Sequence, residues 1–175
     1  MMKKQLIVIA VLVMSMMLIT GCVSRDRGMY SADIAKECYN AHREELEAAA
    51  QFMRADSNIR MILRGYERGF AEGRYFTFID GFSVISKGAL SDKEVKAIKE
   101  DVIPAFNDER LESVRRMATG FAEYAWFFYR NSIFENIYLL CKEIGRTGEG
   151  ELIELSYVTD QVPLGDDWYC IRYSS

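Results

Sequence analysis

The chain has few of the residue patterns on which most enzyme sites are built. Its one histidine, His42, has no second histidine with which to share a metal ion. No Gly-x-Ser-x-Gly elbow, phosphate-binding glycine loop or Cys-x-x-Cys pair occurs in the sequence. Serine hydrolysis, zinc chemistry and thioredoxin-like exchange therefore lack their usual residues, and we expect a protein that is not an enzyme and holds no metal.

One enzymatic alternative stays open because the chain has 26 acidic residues. Two carboxylates at a suitable separation are enough to cleave a glycosidic bond, and the cell envelope is rich in polysaccharide. So many acids also form accidental pairs, and the sequence does not place any two of them across a cleft. A cell-wall hydrolase is the alternative to a non-enzymatic protein.

The chain begins with a basic and then an apolar segment. Lys3 and Lys4 precede an unbroken run of apolar and small residues from 6 to 20. This run of 15 residues is shorter than the roughly 20 that cross a bilayer as a relaxed helix. A basic start, an apolar core of this length and small residues after it are typical of a secretory signal. The alternative is an uncleaved membrane anchor.

The end of this segment resembles the signal peptide of bacterial lipoproteins. Ile19, Thr20 and Gly21 occupy the lipobox positions before Cys22. The resemblance covers residues 1–22 and implies that Cys22 receives diacylglycerol on its thiol and, after cleavage from Gly21, an acyl chain on its amino group. Several acyl chains would hold the protein permanently at a membrane outside the cytoplasm.

The residues after the cysteine indicate which membrane this is. By resemblance to lipoprotein sorting in Gram-negative bacteria, an aspartate directly after the cysteine would retain the protein in the inner membrane. Val23 and Ser24 stand there instead, which favours the periplasmic face of the outer membrane. In a Gram-positive host the protein would lie on the outer face of the single membrane.

Removing residues 1–21 leaves 154 residues, enough for a single domain with its own core. This removal takes away two of the 22 basic residues and none of the acidic ones, so the formal charge becomes −6. A negative chain is a poor partner for nucleic acid and for anionic lipid. We divide the chain into a signal peptide (1–21), a lipidated tether (22–31) and one domain (32–175).

The apolar spacing predicts a mainly α (α+β) fold: a compact bundle of about five helices with one or two small β-hairpins. The predicted helices are 31–54, 58–72, one from a capping box at Ser91–Glu94 to before Pro104, 107–130, and one from a second capping box at Ser132–Glu135 to Gly145.

Two segments of this bundle have alternative interpretations. Residues 75–87 flank Asp80-Gly81, which suits a two-residue hairpin turn, although the second helix could also continue through them. Residues 121–129 are apolar on every side of the predicted fourth helix. Such a helix is typical of a core, and the alternative is an aromatic surface beside a cavity for a small apolar ligand.

With Cys22 lipidated, three cysteines remain. Cys38 and Cys141 fall on apolar faces of predicted helices, and Cys170 lies in a predicted C-terminal strand, 168–173. An exported domain lies where disulfides persist, so we expect one bridge, with three pairings open. The alternative is that the three are small buried apolar residues.

The region before this last strand is acidic, and it includes another predicted strand, 151–158. Between Gly148 and Asp167 the chain has six carboxylates and no basic residue. Their spacing matches no calcium loop, so we interpret them as a solvated patch that faces a basic partner. The patch consists of Glu149, Glu151, Glu154, Asp160, Asp166 and Asp167.

Together these features predict a membrane-tethered envelope lipoprotein that acts as a protein-interaction module. Its role would be that of an assembly accessory, an inhibitor or an immunity-type factor, with another envelope protein as partner. A carrier or sensor of a small apolar ligand, bound beside residues 121–129, is the alternative. Neither function requires a cofactor other than the covalent lipid on Cys22.

Overall fold

The part of the chain that the structure describes is built on one sheet of eight antiparallel strands, with helices packed on one face. A computed structural model describes residues 31–65, 74–119, 121–129, 136–146, 148 and 158–174. Three α-helices are present in this part: α1 (Ala32–Ala41), α2 (Arg43–Ala55) and α3 (Asp92–Ala97), the last continued by a π turn (Ile98–Val102) and a 3-10 turn (Ile103–Asn107).

The strands are β1 (Ile59–Arg64), β2 (Tyr75–Ile79), β3 (Phe82–Ser86), β4 (Leu111–Ala118), β5 (Ala122–Tyr129), β6 (Asn136–Arg146), β7 (Val158–Gly165) and β8 (Trp168–Ser174). Their order across the sheet is β2-β3-β1-β4-β5-β6-β8-β7. Every neighbouring pair is antiparallel. The prediction of a five-helix bundle is therefore wrong, because strands occupy most of the described residues of its second, fourth and fifth helices.

The centre of the sheet is buried on both faces. Along β5, Ala125, Phe127 and Tyr129 join the core beneath the helices, while Tyr124 and Trp126 join a second apolar cluster on the opposite face. A strand buried on both faces shows a continuous apolar run rather than an alternating one. Residues 121–129 therefore have the composition of a buried helix, but residues 122–129 form a central strand. The prediction of an aromatic helix is wrong.

Three local predictions are confirmed. Asp80 and Gly81 form the turn of the β2–β3 hairpin, both with positive φ. Ser91 and Glu94 form the capping box that begins α3. The last predicted strand corresponds to β8. The predicted first helix is divided at His42 into α1 and α2, and the second capping box, residues 132–135, lies outside the described residues.

Candidate functional site

The predicted lipid site lies outside the part of the chain that the structure describes. This holds for Cys22 and for the lipobox residues Ile19, Thr20 and Gly21, so lipidation stays a prediction. Across the described ranges, no helix has the length and apolar character needed to span a membrane.

The three remaining cysteines are buried and free. Cys38 on α1 and Cys170 on β8 belong to the core beneath the helices, whereas Cys141 faces the opposite side of the sheet from strand β6, not from a helix. A bridge from Cys141 to either of the others would have to cross the sheet, so Cys38 and Cys170 are the one pair that lies on the same face. Burial raises the pKa of Cys38 and of Cys170 to about 12, and that of Cys141 well above its ordinary value.

A buried polar cluster surrounds Cys38. Its Sγ lies 3.2 Å from Asp108 Oδ2 and 3.4 Å from the Tyr129 hydroxyl. Arg110 donates two hydrogen bonds to the Asp108 carboxylate, at 2.9 and 2.8 Å. His42 Nε2 is 3.9 Å from the same carboxylate. No sequence pattern predicted the roles of Asp108 and Arg110, because an Asp-x-Arg triplet is no signal for burial.

The electrostatics of this cluster favour a structural role. Burial alone would raise the pKa of Asp108, but hydrogen bonds from Arg110 outweigh it and lower that pKa. Burial holds the pKa of the Tyr129 phenol well above its ordinary value. Since a reactive cysteine needs a lowered pKa, the Cys38 thiol is no nucleophile at neutral pH. The cluster instead joins α1, β5 and the segment before β4.

The acidic patch is only partly described. Glu149, Glu151 and Glu154 lie outside the described residues, while Asp160, Asp166 and Asp167 are exposed. Arg43 of α2 binds the Asp166 carboxylate at 2.5 Å, so one predicted partner-facing charge is already paired within the chain.

Beside this ion pair, Glu47 of α2 binds the sheet. Its Oε2 accepts hydrogen bonds from Lys142 Nζ at 2.9 Å and from Trp168 Nε1 at 2.7 Å. These contacts attach α2 to strands β6 and β8.

A cleft of about 730 Å³ lies between α2 and α3. Its apolar side consists of Ala48, Phe52, Ala55 and Ala97. Its polar side consists of Gln51, Asp56, Ser57, Asn58, Lys93, Glu94 and Asp101. Within the polar side, Asn58 Nδ2 donates to Glu94 Oε1 of α3 at 2.7 Å, and Asn58 Oδ1 accepts from the Gly88 amide before α3 at 2.8 Å. No sequence pattern predicted this cleft, because it forms between segments about 40 residues apart.

Strand β2 is a second exposed apolar feature. Tyr75, Phe76 and Phe78 have 52%, 39% and 54% of their surfaces exposed. Within the described residues β2 pairs with β3 alone, so it forms an edge of the sheet.

Among the described residues, no three or more His, Cys, Asp or Glu side chains are grouped to hold a metal ion. Comparisons with models of protein families, with curated proteins and with solved structures gave no match for this chain.

Proposed function

We propose that the protein is a membrane-tethered envelope lipoprotein that binds another envelope protein through the α2–α3 cleft and catalyses no reaction. The tether rests on the lipobox-like residues 19–22. The single observation that carries the binding function is the cleft, which combines an apolar wall with a polar rim.

The shape and lining of the cleft suit a polypeptide segment. Ala48, Phe52 and Ala55 follow the 3.6-residue period of α2 and present one apolar stripe, and Ala97 faces it from α3. Small side chains on both helices leave room for the apolar face of another helix or loop. The rim carries Asp56, Glu94 and Asp101 against Lys93, so it favours a partner segment with basic flanks.

The alternative functions receive less support from this geometry. A site for a small apolar ligand is expected to be enclosed and predominantly apolar, whereas polar residues form more than half of this lining, and none of residues 121–129 contributes to it. A glycosidase needs a carboxyl group whose pKa is raised, so that it can donate a proton. In the cleft, hydrogen bonds from Ser91 and Asn58 instead lower the pKa of Glu94 to about 2.

The test is crosslinking in cells that naturally contain the protein, followed by identification of the captured proteins. Ala55→Trp would fill the cleft at the last residue of α2, and Ala41→Trp is the matched control, an equally exposed alanine at the last residue of α1. We expect one envelope protein to be captured by the wild type and by Ala41→Trp, and to be reduced about tenfold with Ala55→Trp.

Capture should also weaken in Cys22→Ala, because the tether holds the protein close to its partner. Equal capture by Ala55→Trp and Ala41→Trp would refute the cleft as the binding site. No captured protein from the intact lipidated chain would refute the binding function itself.

A further inference from the structure

The α2–α3 cleft has two ends with different residues. Asn58, which follows α2, donates to Glu94 in the first turn of α3, and the π turn that continues α3 packs back against α2. The two helices therefore border the cleft in opposite directions. Asn58 and Glu94 lie at one end, which we call the Asn58 end, whereas Ala48 and Asp101 lie toward the other.

The lining of the cleft favours a helical occupant. Eight of its 11 residues belong to α2, to α3 or to the π turn, where most main-chain groups are bonded within the helix. A partner segment in an extended conformation would therefore lose its hydrogen bonds with water and gain few in return. An α-helix bonds its own main-chain groups and needs only a surface for one face of its side chains.

The apolar stripe of α2 has the length of a short helix–helix contact. Ala48, Phe52 and Ala55 extend over about two turns, or roughly 10 Å. Ala97 of α3 is the apolar residue on the opposite wall. Because three of these four side chains are small, the axis of a bound helix can lie close to those of α2 and α3.

The Asn58 end of the cleft is negatively charged. Asp56 Oδ1 accepts a hydrogen bond from the Asn58 main-chain N–H at 2.8 Å, and Glu94 Oε1 accepts one from Asn58 Nδ2 at 2.7 Å, so one residue holds both carboxylates. Hydrogen bonds from Ser91 and Asn58 lower the pKa of Glu94 to about 2, so this carboxylate is ionised at neutral pH. Lys93 offsets one of the two charges, and the C-terminal end of the α2 dipole adds to the other.

We infer that the partner segment in the cleft is an amphipathic α-helix whose first turn faces the Asn58 end and whose basic side chain, about two turns later, pairs with Asp101. This inference rests on the proposed function, because it specifies the partner of the same cleft. The first turn of a helix has N–H groups without partners in the helix, and it favours negative charge beside it. The Asn58 end supplies that charge, so it sets the direction of the bound helix.

Charge complementarity assigns the basic side chain of the bound helix. Asp101 lies seven residues after Glu94, or about two helical turns. It is exposed, and among the described lining residues the single cation, Lys93, lies at the Asn58 end. A lysine or arginine of the bound helix would therefore pair with Asp101 without competition from the cleft itself.

The test places a photocrosslinking phenylalanine derivative toward either end of the cleft in the full-length chain, in cells that naturally contain it. Ser57 lies beside Asn58, whereas Gln51 lies more than one turn earlier, in α2, and both are exposed. We expect both positions to capture one envelope protein. Mass spectrometry should locate the Ser57 crosslinks about one to two turns N-terminal to the Gln51 crosslinks, at sites three, four or seven residues apart in one segment.

Two unfavourable results have different meanings. No crosslink from either position, although the lipidated chain is present, would refute the proposed function and the bound helix with it. Crosslinks in the reverse order, or at sites two residues apart as in a strand, would leave the binding function intact and overturn the bound helix.

The pairing with Asp101 has its own test in the chain that carries the crosslinker at Gln51. Asp101→Asn should lower the crosslinked fraction about threefold, because it removes the anion that faces the basic side chain. Glu100→Gln is the matched control, an adjacent exposed carboxylate outside the cleft lining, and should leave the fraction unchanged. Equal effects of the two substitutions, or no lysine or arginine near the Gln51 crosslinks, would contradict the pairing.

Discussion

The Arg116 guanidinium of strand β4 donates a hydrogen bond of 2.8 Å to the main-chain carbonyl of Asp56, the residue directly after helix α2. The same side chain donates to the carbonyls of Met53 and Ile59 and pairs with Glu123 at 2.7 Å. It is only 3% exposed. A buried cation from the sheet thus satisfies carbonyls that the end of a helix leaves without a partner, and its charge also complements the helix dipole.

We expect Arg116→Ala to lower the free energy of unfolding by about 3 kcal/mol or more. The substitution leaves two or three buried carbonyls without a donor, and each costs about 1–3 kcal/mol. Arg54→Ala, an exposed cation in the last turn of the same helix, should cost at most about 1 kcal/mol. Urea unfolding followed by tryptophan fluorescence measures both, since Trp126 and Trp168 are fully buried. A similar loss in the two variants would contradict the capping role of Arg116.

Arg116 also shows why the apolar spacing of the sequence predicted helices instead of the sheet. On β4 it lies on the buried face, where an alternating pattern would require an apolar residue. A register shift between Leu111 and Ser113 also places Leu111 and Val114 on the same face. A shift between Ile59 and Met61 in β1 does the same for Ile59 and Ile62. Each bulge thereby produces the i, i+3 spacing of an amphipathic helix.

The elements that could be predicted are those whose signals are local. The turn at Asp80-Gly81 and the capping box at Ser91 each depend on residues within four positions. The cleft, the aromatic edge and the contact of Cys38 with Asp108, 70 positions away, depend on how distant segments meet. No period or spacing in one sequence determines those meetings, so none of these three features could be predicted from the sequence.

Two Asp–Arg pairs in this protein allow burial to be tested directly. Asp108–Arg110 is mostly enclosed, with the Asp108 side chain 6% exposed, whereas in Asp166–Arg43 both side chains are more than half exposed. We expect Asp108→Asn to destabilise the protein by about 3 kcal/mol, because it leaves a partly buried guanidinium without its anion. Asp166→Asn should cost less than about 1 kcal/mol, and asparagine tolerates the positive φ at that position. Equal unfolding midpoints for the two variants in urea would refute this difference.

The buried thiols should not react in the folded protein. With a pKa of about 12 for Cys38, roughly one part in ten thousand is thiolate at pH 8. We expect iodoacetamide to leave Cys38, Cys141 and Cys170 unmodified in the native chain, while the exposed Thr159→Cys thiol is alkylated within minutes. Rapid labelling of Cys38 in the native state would contradict its burial.

The same reagent, added in urea without reductant, determines whether the predicted disulfide exists in the mature protein. Three labelled thiols mean that no bridge forms. A single labelled thiol at Cys141 means that Cys38 and Cys170, the two cysteines on the same face of the sheet, are joined. Labelling of Cys38 or Cys170 alone would contradict the placement of Cys141 on the opposite face.

The capping box of α3 should make the protein sensitive to acid. Hydrogen bonds from the Ser91 hydroxyl and amide, and from Asn58, lower the pKa of Glu94 from 4.5 to about 2. A carboxylate with a lowered pKa contributes stability that is complete above pH 4.5 and is lost as the pH falls toward 2. Glu94→Gln keeps the geometry of the capping box but removes the titration. We therefore expect the free energy of unfolding of this variant to fall by about 1 kcal/mol less than that of the wild type between pH 4.5 and 2, a value reduced by solvent screening.

Ser91→Ala removes a hydrogen-bond donor to Glu94 and should shift the acid loss of stability to higher pH. Urea unfolding at a series of pH values tests both variants, and a wild-type pH dependence in Glu94→Gln would show that this carboxylate does not stabilise the domain.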